Sequence, residues 1–215
     1  KVWHGFLDTF KTFFKKDGIF VVLAFILLFR MPEAFLSKVT ELFLIDTPQD
    51  GGLGLSPQEF GLVQGTVGAI GASLGGLLGG FVVSRNGLKR WLWPMTAAYT
   101  LPAIVYVFMS YELPLSLMAV NLCVFFEQFG YGFGLTLYML YLIYISRGDY
   151  QTSHYSIVSA LMSLSMMLPG LFAGALQEAM GYRCFFVLVL VCYPVTFLVA
   201  SRLHLDDDFG RQEEL

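Results

Sequence analysis

Six stretches of this 215-residue chain are long and apolar enough to cross a hydrocarbon layer, and almost no charge falls inside them. A crossing of about 30 Å takes roughly 20 helical residues. Such windows run from Phe20 to Phe43, Phe60 to Val83, Trp91 to Met109, Leu115 to Ile145, Tyr155 to Leu176 and Phe185 to Ser201. The fourth is overlong and is expected to tilt or to extend past the membrane. A soluble domain is about one quarter charged; here charged residues make up 13% and hydrophobic residues 56%, with a mean hydropathy of +0.67. In lipid every backbone polar group must be satisfied within its own segment or a closed barrel, so long apolar runs of this kind become helices. The expected fold is an all-α integral membrane bundle of six transmembrane helices, with no need of a second domain. The first residue is Lys rather than Met, as in a piece of a longer chain.

The net charge of −3 says little about partners and gives no reason to expect nucleic acid; where the charges fall says more. Lys1, Lys11, Lys15 and Lys16 precede span one, Arg85, Lys89 and Arg90 follow span two, Arg147 follows span four, and Arg202 and Arg211 follow span six. These ten cations share one side, while the other carries only Arg183 among Asp46, Asp50, Glu59, Glu112 and Glu178. Lys and Arg in short loops stay on the cytoplasmic side, which predicts cytoplasmic termini for this segment. Residues 1–17 place Trp3, Phe6, Phe10, Phe13 and Phe14 on one helical face, as in a helix lying in the headgroup layer; a linker is the plainer alternative. The six-helix domain then occupies residues 18–203, and the acidic residues 204–215 read as a solvated tail.

No CxxC, HExxH, GxSxG or P-loop pattern occurs, so nothing points to an enzyme, a metal or a cofactor. Cys123, Cys184 and Cys192 are odd in number, lack ligand spacing and read as packed thiols.

Charged residues inside a membrane span are costly unless they face protein or water, and are functional candidates for that reason. Only Arg30, Glu33, Lys38 and Glu41 in span one and Glu127 in span four qualify. At about 100° per residue, Glu33, Ser37, Lys38 and Glu41 all lie within about 80° of Arg30, so the four charges are expected on one face. Pro32 removes a backbone hydrogen bond between them and should kink the helix, which is tolerated where a helix lines a cavity. The plainer reading is that Arg30 with Glu33, and Lys38 with Glu41, neutralise each other inside the bundle. In span four, Tyr131, Gly134, Tyr138 and Tyr141 fall within about 40° of Glu127, a wall of phenols around one carboxyl that could stack on a sugar and still donate hydrogen bonds. Tyr141 and Tyr144 also suit an interfacial belt. Glu127 has no cation within a turn of its own span, and a lone carboxyl in a low-dielectric setting suits a proton carrier; Glu33 is a second candidate. Arg30 is the expected partner of an anionic solute group.

Span two carries Gly61, Gly65, Gly68, Gly71, Gly75, Gly76, Gly79 and Gly80 in GxxxG spacings that let helices approach closely. Span five offers Ser156, Ser159, Ser163, Gly170 and Gly174 on one side, with Pro169 interrupting it. Gln64 and Ser163 are candidates for the cavity wall beside Arg30, Glu33, Lys38, Glu127, Tyr131 and Tyr138.

The turn after span two reads Gly80-x-x-x-Ser84-Arg85-x-Gly87-x-Lys89-Arg90 and resembles the loop signature of the major facilitator superfamily, where Asp usually stands at the Ser84 position. There Gly80 would permit a close crossing, Gly87 a left-handed turn, and the cations a pairing with carboxylates or helix ends in one conformer. The resemblance implies half of a twelve-helix fold, built from two inverted three-helix repeats, with spans one and four on the central cavity and spans three and six toward lipid. More narrowly, the segments 29–35, 60–68, 126–134 and 155–161, the last leading to Pro169-Gly170, look like the C-terminal half of AmpG-type muropeptide permeases. That family and its acetyl-coenzyme A transporter relatives imply proton-linked symport of a bulky anionic solute, such as anhydromuropeptides, across a bacterial inner membrane. The implied partners are membrane lipid, protons, the solute and an N-terminal six-helix half. A facilitator for another anionic sugar, nucleotide or siderophore, or a six-helix scaffold or sensor without transport, are the rival readings.

Overall fold

The computed structural model describes residues 9–113 and 115–212. Its framework is five long apolar helical segments, α1 (Ile19–Ile45), α2 (Pro57–Asn86), α3 (Leu88–Tyr111), α4 (Leu117–Ser146) and α5 (Gln151–Ala200), each long and apolar enough to cross a membrane.

α1 is broken where Pro32 predicts a kink. Regular helix ends at Leu28, Arg30 sits at φ −94° and ψ −1°, and helix resumes at Met31 with Pro32 in its first turn. Proline has no N–H to give the preceding turn, and a break of this kind leaves carbonyls open to other donors. Two distant hydroxyls attend them: Tyr138 donates to the Ile26 carbonyl at 2.8 Å and Thr196 to the Phe29 carbonyl at 3.0 Å.

Pro169 does not interrupt α5; helix continues through it. The chain breaks instead at Gly181, whose φ of 75° and ψ of 165° are non-helical and open chiefly to glycine. Contacts along α1 show what this does. His154 lies against Phe13 and Thr12, Gly170 against Lys38, and Tyr182 donates to Asp46. Beyond the break the order reverses, with Phe186 on Phe43, Tyr193 beside Glu33 and Thr196 at Phe29. Residues 151–180 therefore run alongside α1, and residues 182–200 return against it.

Close packing of α2 on α4 explains much of the glycine spacing. A Cβ at Gly75 would run into the Phe129 carbonyl oxygen, and one at Gly132 into that of Ala72. Only glycine lets these backbones meet. Gly80, expected at a close crossing, has open space around its Cβ position; Gly79 is the contact residue, against Thr136.

Two apolar cores fill the bundle. One, around Phe25, Phe29, Met95, Leu137 and Leu142, lies toward the chain ends; the other, around Phe43, Met109, Val124, Phe185 and Phe186, lies beyond it. Both ends of the described chain reach one end of the bundle. Residues 9–14 are helical there, with Phe13 fully buried and Phe14 exposed, so the aromatic face is split between protein and surroundings. Trp3 and Phe6 lie outside the described residues. The tail is not a free solvated terminus: Leu205 and Phe209 are buried, and its backbone pairs with the turn between α2 and α3.

Candidate functional site

Between the two cores three ionisable side chains are enclosed: Arg30 (7% exposed), Glu33 (4%) and Glu127 (4%). Glu33 and Arg30 flank Pro32, which sets them on either side of the restart of α1. Lys38 and Glu41 are exposed, so the four charges of the first span do not share a sheltered face. Measuring every angle from Arg30 hides this: Glu33 and Lys38 fall on opposite sides of that reference and stand about 140° apart on the one unbroken helix Met31–Ile45. Nor do these charges neutralise each other in pairs. Among the described residues the ion pairs are Lys89 with Asp207 and Arg211 with Asp208, both involving the tail, and no carboxylate oxygen lies within 4.0 Å of the Arg30 guanidinium.

Phenols take the place of counter-charges. Arg30 donates from Nη2 to the Tyr131 hydroxyl at 3.1 Å, and its guanidinium lies 5.6 Å from the Tyr138 ring centroid. Its Nε is buried without a partner. Tyr99 stacks on Tyr131 at 5.8 Å and on Phe29 at 5.1 Å, with its buried hydroxyl toward the Arg30 guanidinium. Glu127 accepts twice at Oε2, from Gln128 Nε2 at 2.9 Å and from the Tyr106 hydroxyl at 3.2 Å. Tyr193 donates to Glu33 Oε2 at 3.4 Å.

The wall of phenols on α4 thus serves Arg30 rather than Glu127. Spacing along one helix finds residues on a shared face but cannot say which neighbour that face meets. Tyr141 packs on Phe25 at 4.7 Å inside the core, not in an interfacial belt. Spans three and six have two kinds of face: Leu101, Ile104, Phe108, Val191 and Leu198 are exposed, while Tyr99 and Tyr106 of α3 and Tyr193 of the returning limb of α5 turn inward to the enclosed group. Tyr99 and Tyr106 are seven residues apart and so share a helical face, a signal available in the sequence. Nothing in the sequence pairs Tyr193 with Glu33.

Gln64 stands in an eight-residue π-helical stretch, Gly61–Gly68, and its buried Oε1 has no partner. A Cβ at Gly68 would lie 3.5 Å from that oxygen and 3.4 Å from Gln128 Cγ, which places Gln64 beside the Glu127 group. π-helical turns are rare and recur at functional sites. Ser163 is exposed and spends its hydroxyl on the Ser159 carbonyl, 3.1 Å away in its own helix; Lys38 lies along Gly170.

At the end of the bundle, Gly87 takes φ 79°, Ser84 donates to the Phe81 carbonyl at 2.8 Å, Arg85 lies 4.7 Å from the Phe81 ring centroid, and Arg90 is exposed. Lys89 pairs with Asp207 of the tail.

The arrangement of these helices is one found in part of a solved peptide transporter. Over 86% of the chain it superposes on 38% of the chain of a mutant of the peptide transporter POT, solved in complex with alafosfalin, with a TM-score of 0.68 and 17% identity. The sequence is similar to AmpG-type transporters: it is 26% identical over 193 residues to the anhydromuropeptide permease of Escherichia coli K12, covering 85% of this chain and 38% of the permease. It is 25% identical over 194 residues to AmpG 4 of Rickettsia conorii and 21% identical over 194 residues to AmpG 2 of Rickettsia typhi, covering 90% of this chain in each case and 45% and 46% of those proteins. The chain thus spans less than half the length of these relatives. No family model matches it.

Proposed function

We propose that this chain is the C-terminal, six-crossing half of a proton-coupled secondary transporter that imports a bulky anionic solute, anhydromuropeptides first among them. The observation that carries the reading is Arg30: an enclosed guanidinium with no carboxylate partner, one unpartnered N–H and a ring of phenols around it. A cation held this way in a membrane protein is costly until an anion reaches it. Phosphate and carboxylate groups both meet that need, and the phenols supply faces and donors for a sugar.

The return of the chain at Gly181 supports six crossings rather than five, as does the meeting of both chain ends at one end of the bundle, which requires an even number. The ten loop cations support a cytoplasmic position for that end, in a bacterial inner membrane. The inverted repeat and the N-terminal half rest on the family resemblance and on the share of the relatives that this chain spans. Glu127 is the proposed proton carrier, with Glu33 as its companion. Both donors to Glu127 meet Oε2, leaving Oε1 as the oxygen that takes the proton.

The test is uptake of labelled anhydromuropeptide by proteoliposomes holding the full-length protein under an imposed pH gradient. Accumulation is expected, and its absence in active vesicles would remove this solute. Glu127→Gln should abolish gradient-driven accumulation while sparing solute exchange; driven uptake at the wild-type rate would exclude Glu127 as the carrier.

A further inference from the structure

The two ends of the described chain converge on one turn, from opposite sides. Lys16 Nζ donates to the carbonyls of Ile145, where α4 ends, and Arg147, the latter at 3.0 Å. A cation there meets the negative end of the helix dipole and its open carbonyls. Its partial burial lowers the Lys16 ammonium from the usual lysine range. Phe13, fully buried, and Thr12 hold the same segment against His154 at the start of α5.

From the other side, Phe209 of the tail sits 4.3 Å from the Arg147 guanidinium and 4.8 Å from the Tyr144 ring. The tail then crosses to the turn between α2 and α3. Leu88 N–H donates to the Phe209 carbonyl at 2.8 Å, Gln212 N–H to the Ser84 carbonyl at 2.7 Å, and Asp207 pairs with Lys89. The fit is close: a Cβ on Gly87 would stand 2.8 Å from the Asp207 carbonyl oxygen, and one on Gly210 would stand 2.7 Å from Val83 Cγ1.

We infer that residues 205–212 are a latch over the 84–90 turn, and that Arg147 joins it to the segment before α1, so that displacement of that segment loosens the turn. Arg147 is the hub because its carbonyl serves Lys16 while its guanidinium covers Phe209. The anchoring comes mainly from Phe209 and the backbone bonds, since an exposed ion pair such as Lys89 with Asp207 contributes little. In a transporter, the segment before α1 would carry motion from the preceding half to this turn. That last step rests on the proposed function; the latch itself does not.

The test uses the full-length protein in vesicles, with its native cysteines, Cys123, Cys184 and Cys192 among them, replaced by Ser and Val83→Cys as reporter beneath Gly210. Labelling by a maleimide needs no solute, so it reads the latch even if the transport reading fails. Phe209→Ala should speed labelling about tenfold or more, and Asp207→Lys several-fold, with Lys89→Asp added to Asp207→Lys restoring the slow rate. The exposed charge swap guards against a Phe209 variant that fails to fold. Lys16→Ala, which touches no tail residue, should also speed labelling several-fold. Wild-type rates in Phe209→Ala and Asp207→Lys would overturn the latch, and a wild-type rate in Lys16→Ala alone would overturn its link to the segment before α1.

Discussion

The middle of the bundle and its terminal end handle charge in opposite ways. At the end, Lys89 meets Asp207, Arg211 meets Asp208, Lys16 meets carbonyls, and Arg147 and Arg85 lie on rings. In the middle, Arg30 meets only phenols, while Glu33 and Glu127 meet phenols and an amide. Charges at the end have water as an alternative partner, so their pairings are convenient rather than necessary. Charges in the middle have none, so incomplete pairing there is held at a cost that a purely structural site would avoid. That difference is what the proposed anion site in the middle of the bundle would require.

Three substitutions can break or sharpen that contrast. The largest effect is expected from Arg30→Met, which should abolish anion uptake. It should also raise the solute-free protein's resistance to unfolding by about 1–3 kcal/mol, since apolar replacement of buried charge is often stabilising. Unfolding in detergent and uptake in proteoliposomes read the two arms, and a large loss of stability would make Arg30 a structural residue. Next comes Tyr106→Phe, which removes one of two donors to Glu127 and should cost about 1–3 kcal/mol by the same unfolding measurement. No cost would mean that Tyr106 and Glu127 are not coupled. The smallest effect belongs to Lys89→Ala, where both partners are more than half exposed, at 55% and 80%. Its unfolding midpoint should not move; a clear drop would erase the contrast between the two regions.

Much of the fold was legible in advance. The apolar windows foretell helices within a few residues, Pro32 foretells the break in α1, and the GxxxG spacings foretell a close helix contact for α2 without saying that α4 makes it. Pro169 misleads, because proline's missing bond can be absorbed within a long packed helix, whereas Gly181 permits a backbone conformation that ends one. Of the candidate site, Arg30, Glu33, Glu127, Tyr131 and Tyr138 do come together, and Gln64 lies beside them. Lys38 and Ser163 are exposed rather than enclosed, and Tyr99, Tyr106, Gln128 and Tyr193 join the enclosed group from positions that carry no charge signal.

What the residues determine by themselves is where this chain can lie: apolar runs without charge must become helices in a hydrocarbon layer, and any charge within them needs shelter. Which partner each sheltered group meets is decided only when helices pack, because a phenol or amide reaches across to another helix at a depth and rotation that its own span does not record. The pairings of Tyr106 with Glu127, of Tyr193 with Glu33 and of the tail with the 84–90 turn therefore belong to the tertiary structure alone.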